Sequence, residues 1–170
     1  MKKLQISMIA ALILLLAAGG ARYYTYAVKE DSNGLTKKDI AEAQEALYSY
    51  VDAKNIGEYD TCITGLSDLY KKESYGSDAE RILQSYTYES NLALHDFEAE
   101  YNADTASVPI GSYASGGEER KEYLADKKAV YFSCDFWVEV KEEGPALSSV
   151  FHNGDTRSDY GYLLVKENGD

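Results

Sequence analysis

Residues 129–141 have the sequence AVYFSCDFWVEVK. From Val130 onward, apolar side chains alternate with side chains that carry a polar group. Successive side chains of a β-strand point to opposite faces of a sheet, so the alternation predicts a strand with one buried face. The apolar face carries Val130, Phe132, Cys134, Phe136, Val138 and Val140. The opposite face carries Tyr131, Ser133, Asp135, Trp137 and Glu139. The chain is therefore expected to build a sheet with a core on one side.

Two further strands and a loop are predicted around this one. Residues 91–101 are mixed in polarity and favour a strand, and residues 160–166 form a second strand that is apolar on both faces. Residues 104–119 are rich in Gly, Ser and Ala, and they predict a loop or an irregular insertion. Asn168-Gly169 is a strong hairpin signal, so we expect either that the last strand is missing from this sequence or that the sheet is left with an unpaired edge.

Helices are predicted in the first half of the chain. Thr36 and Asp39 have the spacing of a capping box, and apolar residues recur at helical spacing after them. A second helix is predicted over residues 58–70, and a third begins at Ser77. Helices followed by antiparallel strands predict an α+β fold, in which N-terminal helices pack on a curved antiparallel sheet.

The N-terminus has the pattern of an export signal. A basic start precedes an apolar run over residues 4–18, and small residues follow the run. This pattern predicts a signal peptide or a signal anchor over residues 1–28, and cleavage and retention are both open. Residues 29–35 are polar and predict a linker to a domain over residues 36–170. We expect an exported protein, either membrane-anchored by its N-terminal segment or secreted.

The composition is acidic and poor in His and Cys, which often act in catalysis or bind metals. Of 170 residues, 29 are Asp or Glu and 17 are Lys or Arg, so the net charge is −12. Residues 1–28 hold three basic residues and no acid, and removing these three positive charges leaves −15 for the rest. This charge argues against binding to nucleic acid, which needs clustered Lys and Arg. With two His and two Cys, the sequence indicates no metal site, no cofactor and no catalytic residue.

Two stretches of the chain resemble a known family. They are residues 51–60, VDAKNIGEYD, and residues 162–170, YLLVKENGD. They resemble the helix 1–helix 2 junction and the penultimate strand and turn of the nuclear transport factor two-like superfamily. The likeness is closest to an uncharacterised group of exported domains from Gram-positive bacteria. It covers about residues 36–170 and implies a cystatin-like α+β cone, a curved sheet wrapped around a long helix. Members include enzymes with a pocket Asp or His as well as binding proteins, so the resemblance assigns no catalytic residue.

The outer face of the 129–141 strand is the candidate partner surface. Tyr131, Trp137 and Asp135 lie on this face, and aromatic side chains are favoured anchors at protein interfaces. Packing of the aromatics beneath a segment such as residues 104–119 is the alternative. On the neighbouring strand, His95 and Asp96 are expected on opposite faces, with the acid on a solvated surface.

The two cysteines are both placed on apolar faces, Cys62 on a helix and Cys134 on a strand. Both are expected to point into the same core. A disulfide between them is one possibility in an exported protein, and two buried thiols that behave as small hydrophobic groups are the other.

The leading hypothesis is an exported, non-catalytic domain that binds a ligand or a protein at the cell envelope. The alternative is an enzyme with an acid–base pocket inside the cone. A homodimer is a further possibility, and only the N-terminal segment is expected to meet a membrane.

Overall fold

A computed structural model of the protein describes residues 18–76, 78, 81, 92–141 and 152–167. The N-terminal apolar run up to residue 17, most of the helix predicted from Ser77 and the Asn168-Gly169 turn lie outside these residues. Residues 18–23 are helical and continue into a π-helical turn at Tyr24–Val28. Within the described ranges, no helix has the length and apolar character needed to cross a bilayer.

The other described elements follow in chain order. They are α1 (Lys37–Ile56), α2 (Tyr59–Gly65), α3 (Asp68–Tyr75), β1 (Leu92–Glu100), α4 (Ala103–Ala114), α5 (Glu118–Leu124), β2 (Ala129–Val140) and β3 (Thr156–Val165). The strands form an antiparallel sheet in the order β1-β2-β3, with α1, the longest of these five helices, packed on it. The predicted α+β class is confirmed.

The start of α1 is set by its capping box. The Thr36 side chain accepts a hydrogen bond from the backbone N–H of Asp39, and Asp39 accepts one in return from the backbone N–H of Thr36. These two bonds satisfy N–H groups that have no partner within the helix. The helix ends at Gly57, whose φ of 80° is the left-handed conformation that glycine adopts most easily.

The single helix predicted over residues 58–70 is wrong, because the chain forms α2 and α3 instead. The break lies at Leu66 and Ser67, which are both extended. The Ser67 hydroxyl accepts a hydrogen bond from the backbone N–H of Tyr70 over 3.1 Å and caps α3. A local serine cap therefore outweighs the apolar periodicity that suggested one continuous helix.

The alternation in β2 places its apolar side chains in the core as predicted. Five consecutive inward positions of β2 are buried, and α1, β1 and the residue before Thr36 complete the same cluster. Its buried members are Leu35, Leu47, Val51, Leu92, Leu94, Val130, Phe132, Cys134, Phe136 and Val138. A smaller cluster under α2 is formed by Ala53 and Cys62.

The loop predicted over residues 104–119 is wrong, since most of this segment is helical. Asn102 caps α4 through its side chain, which accepts a hydrogen bond from the backbone N–H of Asp104 over 2.9 Å. Ala106 is buried, so small residues here pack against the domain. Pro109 lies inside α4. The cap and the packing outweigh the low helix propensity of Gly, Ser and Pro.

Residues 29–35 are held firmly against the domain. The Asp31 carboxylate accepts hydrogen bonds from the backbone N–H groups of Asn33 and Leu35 and from the Tyr101 hydroxyl. Burial alone would raise the pKa of Asp31, but these hydrogen bonds outweigh burial and lower it. The segment predicted as a linker thus forms a turn that ends with Leu35 in the core.

Candidate functional site

A bulge in β1 reverses which side chains face the core. Leu94 faces the core before the bulge, and Phe97 faces it afterwards, although the two are three positions apart and would lie on opposite faces of a regular strand. The pairing with β2 shifts between His95 and Glu98. Asp96 lies within this bulge with a φ of 51°, in the left-handed region that aspartate tolerates better than most residues.

A second bulge lies in β3, on the other side of β2 and at the same level. Here the pairing with β2 shifts between Cys134 and Phe136, and Asp159 has a φ of 58°. The backbone N–H of Asp159 donates to Oδ1 of Asp135 over 3.0 Å, and the Ser133 hydroxyl donates to Asp159. Asp135 is therefore flanked by a bulge on each neighbouring strand.

Trp137 is held on the outer face by both residues at the start of the β1 bulge. The His95 ring stacks on the indole, with the ring centroids 4.3 Å apart and the planes 18° from parallel. The indole Nε1 donates a hydrogen bond to Oδ2 of Asp96 over 3.0 Å. The prediction that His95 and Asp96 lie on opposite faces is wrong, because the bulge turns both toward the same tryptophan.

His95 also contacts a carboxylate on β2. Its Nε2 lies 2.6 Å from Oε2 of Glu139, and both side chains are substantially exposed, at 38% and 46%. The contact becomes an ion pair when the imidazole is protonated. Trp137 thus has a fixed orientation while its surroundings stay open to solvent.

Tyr131 lies on the same outer face but belongs to a different contact. Its ring covers Gly161 on β3, where a Cβ atom would come within 2.7 Å of two ring carbons. Tyr131 and Trp137 are six positions apart, about 20 Å along a strand. Tyr131 is therefore packed locally on the sheet, and Trp137 forms the centre of the candidate site.

The surroundings of Trp137 are acidic. Glu98 lies directly opposite Asp135 in the β1–β2 pairing, and like charges in this arrangement destabilise a sheet. None of the ion pairs between described residues joins Lys or Arg to these carboxylates or to Asp96. We call Trp137, His95, Asp96, Glu98, Asp135 and Glu139 the tryptophan patch.

The tryptophan patch does not have the geometry of a metal centre. Among the described residues, no group of three or more His, Cys, Asp or Glu side chains is placed to hold a metal ion. The carboxylates are spread along two strands, so they suit a ligand with several positive charges better than a single ion.

A groove of about 490 Å³ lies elsewhere, between α1 and the ends of β2 and β3. Lys128 Nζ lies 2.7 Å from Asp39, and Lys166 Nζ lies 3.2 Å from Glu42. Burial alone would raise the pKa of Asp39, but the hydrogen bonds from Lys128 and Thr36 hold it at about 2. A general acid needs the opposite shift, so Asp39 does not suit that role.

Cys62 and Cys134 are both buried and are not joined by a disulfide. They lie in two different clusters, so the expectation that both point into the same core is wrong. Burial raises the pKa of the Cys134 thiol to about 12, and the nearby Asp135 carboxylate adds to this effect. A thiol with so high a pKa is a poor nucleophile at neutral pH.

Comparison with known proteins identifies no relative of the chain. No protein-family model matches the chain, and neither a curated protein nor a solved structure matches it significantly.

The contacts that His95, Asp96 and Glu139 make in the tryptophan patch are not predicted from the sequence. A signal for the bulge that brings Asp96 to Trp137 is present in residues 92–101, LALHDFEAEY. The large apolar residues occupy even positions up to Leu94, whereas the apolar residues from Phe97 onward occupy odd positions. A change of phase within one strand indicates a bulge, and a bulge turns two neighbouring residues toward one face.

Proposed function

We propose that the protein is a non-catalytic, exported binding domain that recognises a ligand or protein at the cell envelope through the tryptophan patch. The observation that carries this proposal is the fixation of a half-buried indole from two sides, by the His95 ring and the Asp96 carboxylate. A preorganised aromatic side chain loses little conformational entropy when it binds. Such side chains are frequent anchors at interfaces.

The charge of the patch supports a partner with positive charge. Glu98 and Asp135 repel one another across the strands, and a cation placed between them would relieve that repulsion. The net charge of −12 adds long-range attraction for a basic partner and repels anionic lipid and nucleic acid. The proposed partner is therefore a basic segment of a polypeptide.

Export and family membership form part of the same proposal. The basic start and apolar run of residues 1–18 support export, with the N-terminal segment either cleaved or kept as an anchor. The order of helices and antiparallel strands supports membership of the nuclear transport factor two-like superfamily. The intact mass of the protein, measured after expression in an exporting host, distinguishes a cleaved N-terminal segment from a retained anchor. Cleavage lowers the mass because it removes the N-terminal segment.

A fluorescence titration tests the binding proposal directly, because Trp137 is the one tryptophan of the chain. Octalysine is the probe, and octaglutamate is the control ligand. We expect a saturable change in Trp137 emission with octalysine alone, and this change should weaken as salt is added.

Matched variants distinguish binding at the tryptophan patch from non-specific attraction to the overall negative charge. Replacing Glu98 and Asp135 by Gln and Asn removes two charges at the patch, whereas Glu118→Gln with Glu122→Gln removes two exposed charges on α5. We expect the first pair to weaken binding at least several-fold and the second pair to change it little. Equal effects of the two pairs would contradict the proposal.

A further inference from the structure

An open recess of about 380 Å³ lies where the helical segment of residues 18–28 meets the start of α1. Its lining consists of Ala21, Arg22, Thr25, Tyr26 and Lys37. Arg22 and Tyr26 are four positions apart, so they lie on one face of the helical segment. Pairing between Glu30 and Thr36 closes the turn that brings Lys37 back beside this face. We call this site the basic recess.

The two cations of the basic recess are not neutralised by the part of the protein that the structure describes. None of the ion pairs between described residues includes Arg22 or Lys37. The two acids in the first turns of α1, Asp39 and Glu42, are paired with other lysines. Lys37 is also the first residue of α1, where the helix dipole disfavours a positive charge. A bound anion would relieve this unfavourable interaction.

The charge around the basic recess has the opposite sign to that of the whole chain. Residues 18–38 contain four basic residues, Arg22, Lys29, Lys37 and Lys38, and two acids, Glu30 and Asp31. The Asp31 carboxylate is already held by three hydrogen bonds within the domain. The net charge of the chain is −12, so an anionic surface is attracted at this end and repelled by the remainder.

The helical segment beside the basic recess carries three exposed tyrosines. Tyr23, Tyr24 and Tyr26 are 67%, 57% and 47% exposed. They follow closely on the apolar run of residues 4–18. Tyrosine rings favour the interface between a membrane and water, because the ring is apolar and the hydroxyl is polar. The apolar run, the tyrosines and the basic recess therefore adjoin one another as the hydrocarbon and headgroup layers of a bilayer do.

We propose that the basic recess binds the phosphate group of an anionic membrane phospholipid, while the three tyrosines lie in the headgroup layer. The Arg22 guanidinium and the Lys37 ammonium group supply charge-assisted hydrogen bonds to the phosphate oxygens. Cations beside the end of a membrane segment are attracted to anionic headgroups. This inference rests on the part of the proposed function in which the N-terminal segment is kept as an anchor, and it adds a lipid site to that segment.

Lipid binding at the basic recess also decides which end of the domain faces the membrane. Lys128 precedes β2 and lies 2.7 Å from Asp39, so the start of β2 is at the same end of the domain as Lys37. Trp137 is nine positions after Lys128, about 30 Å along the strand. The tryptophan patch is therefore held away from the bilayer, where a basic polypeptide can reach it.

The experiment titrates the full chain in dodecyl maltoside micelles, which contain no phosphate, with dihexanoylphosphatidylglycerol. Backbone amide NMR shifts are the readout, and we expect saturable changes at residues 21–26 and at Lys37. Inorganic phosphate is the control ligand and should give no saturable change at the same concentrations. The absence of saturable changes with the lipid would overturn the proposal, and so would equal responses to the lipid and to inorganic phosphate.

This titration fails or succeeds independently of the proposed function. The purified chain keeps residues 1–28, so the result does not depend on export or on cleavage. Octalysine is absent, so the result does not depend on the tryptophan patch either.

Matched variants test whether the two cations of the basic recess hold the lipid. Arg22→Gln with Lys37→Gln removes two exposed charges at the recess, whereas Lys72→Gln with Lys121→Gln removes two exposed charges on α3 and α5. We expect the first pair to weaken lipid binding at least several-fold and the second pair to change it little. Equal effects of the two pairs would overturn the proposal, and the wild-type titration decides it if either double variant fails to fold.

Discussion

The indole of Trp137 and the carboxylate of Asp96 are joined by a 3.0 Å hydrogen bond that exists because β1 contains a bulge. In a regular strand, Asp96 would point to the face opposite His95. The left-handed backbone at Asp96 turns its carboxylate toward the tryptophan instead. Local backbone strain and the orientation of the candidate binding residue are therefore linked, and the link can be tested by substitution.

Substitution of Asp96 should depend on how well the new residue tolerates a positive φ. Asp96→Asn keeps an acceptor for the indole and adopts the left-handed conformation readily, so we expect little loss of stability. Asp96→Val places a β-branched residue at a φ of 51° and should cost roughly 1–3 kcal/mol. Urea unfolding followed by circular dichroism measures both values. Equal stability of the two variants would show that the bulge is not strained as described.

A second prediction concerns the contact between Gly161 and Tyr131. A methyl group at residue 161 would overlap the tyrosine ring, so Gly161→Ala should destabilise the protein by about 1–3 kcal/mol. The loss should be much smaller when Tyr131 is already Ala, because the overlapping ring is then absent. A double-mutant cycle by urea unfolding measures this coupling. Additive effects would mean that Tyr131 does not lie over Gly161.

A third prediction concerns acid stability. The pKa of Asp39 in the folded protein is about 2, below its ordinary value of 3.8. The stabilisation from its bonds to Lys128 and Thr36 is therefore complete above pH 4 and is lost as the pH falls through 2. The Asp39 side chain is only 14% exposed, so this stabilisation is on the order of 2 kcal/mol.

The matched variants for this prediction are Asp39→Asn and Asp104→Asn. We expect Asp39→Asn to flatten the fall in unfolding free energy between pH 4 and 2, because no carboxylate remains to titrate. Asp104 is exposed at the start of α4, and its replacement should leave the slope nearly unchanged. The same slope in both variants would contradict the role assigned to Asp39.

A fourth prediction concerns the cysteines. Cys62 and Cys134 lie in separate clusters, so we expect the same intact mass with and without reductant. The raised pKa of Cys134 also predicts little reaction with iodoacetamide at pH 8 until the protein is unfolded by urea. A mass that rises by two hydrogens on reduction would instead show a disulfide.

Features encoded by neighbouring residues could be predicted from the sequence. The capping box at Thr36 and the burial pattern of β2 need only a few adjacent positions, and both occur in the structure. The helical segment over residues 103–114 could not be predicted in this way. It depends on the cap at Asn102 and on burial of Ala106, and burial is decided by tertiary packing.

The candidate site was predictable only in part. The alternation in β2 places Tyr131, Asp135 and Trp137 on the outer face, as the structure does. The partners of Trp137 come from β1, and their placement depends on strand register. A one-residue bulge changes that register, so face assignments made from a regular alternation fail beyond it.

The most direct test of the proposed function is a map of octalysine binding by NMR chemical shifts of backbone amides and the indole N–H. The account predicts that the largest changes fall on the Trp137 indole and on residues 95–98 and 133–139. Changes confined to other acidic segments, such as the exposed glutamates of α5, would contradict it. The absence of any change at the Trp137 indole would contradict it most clearly.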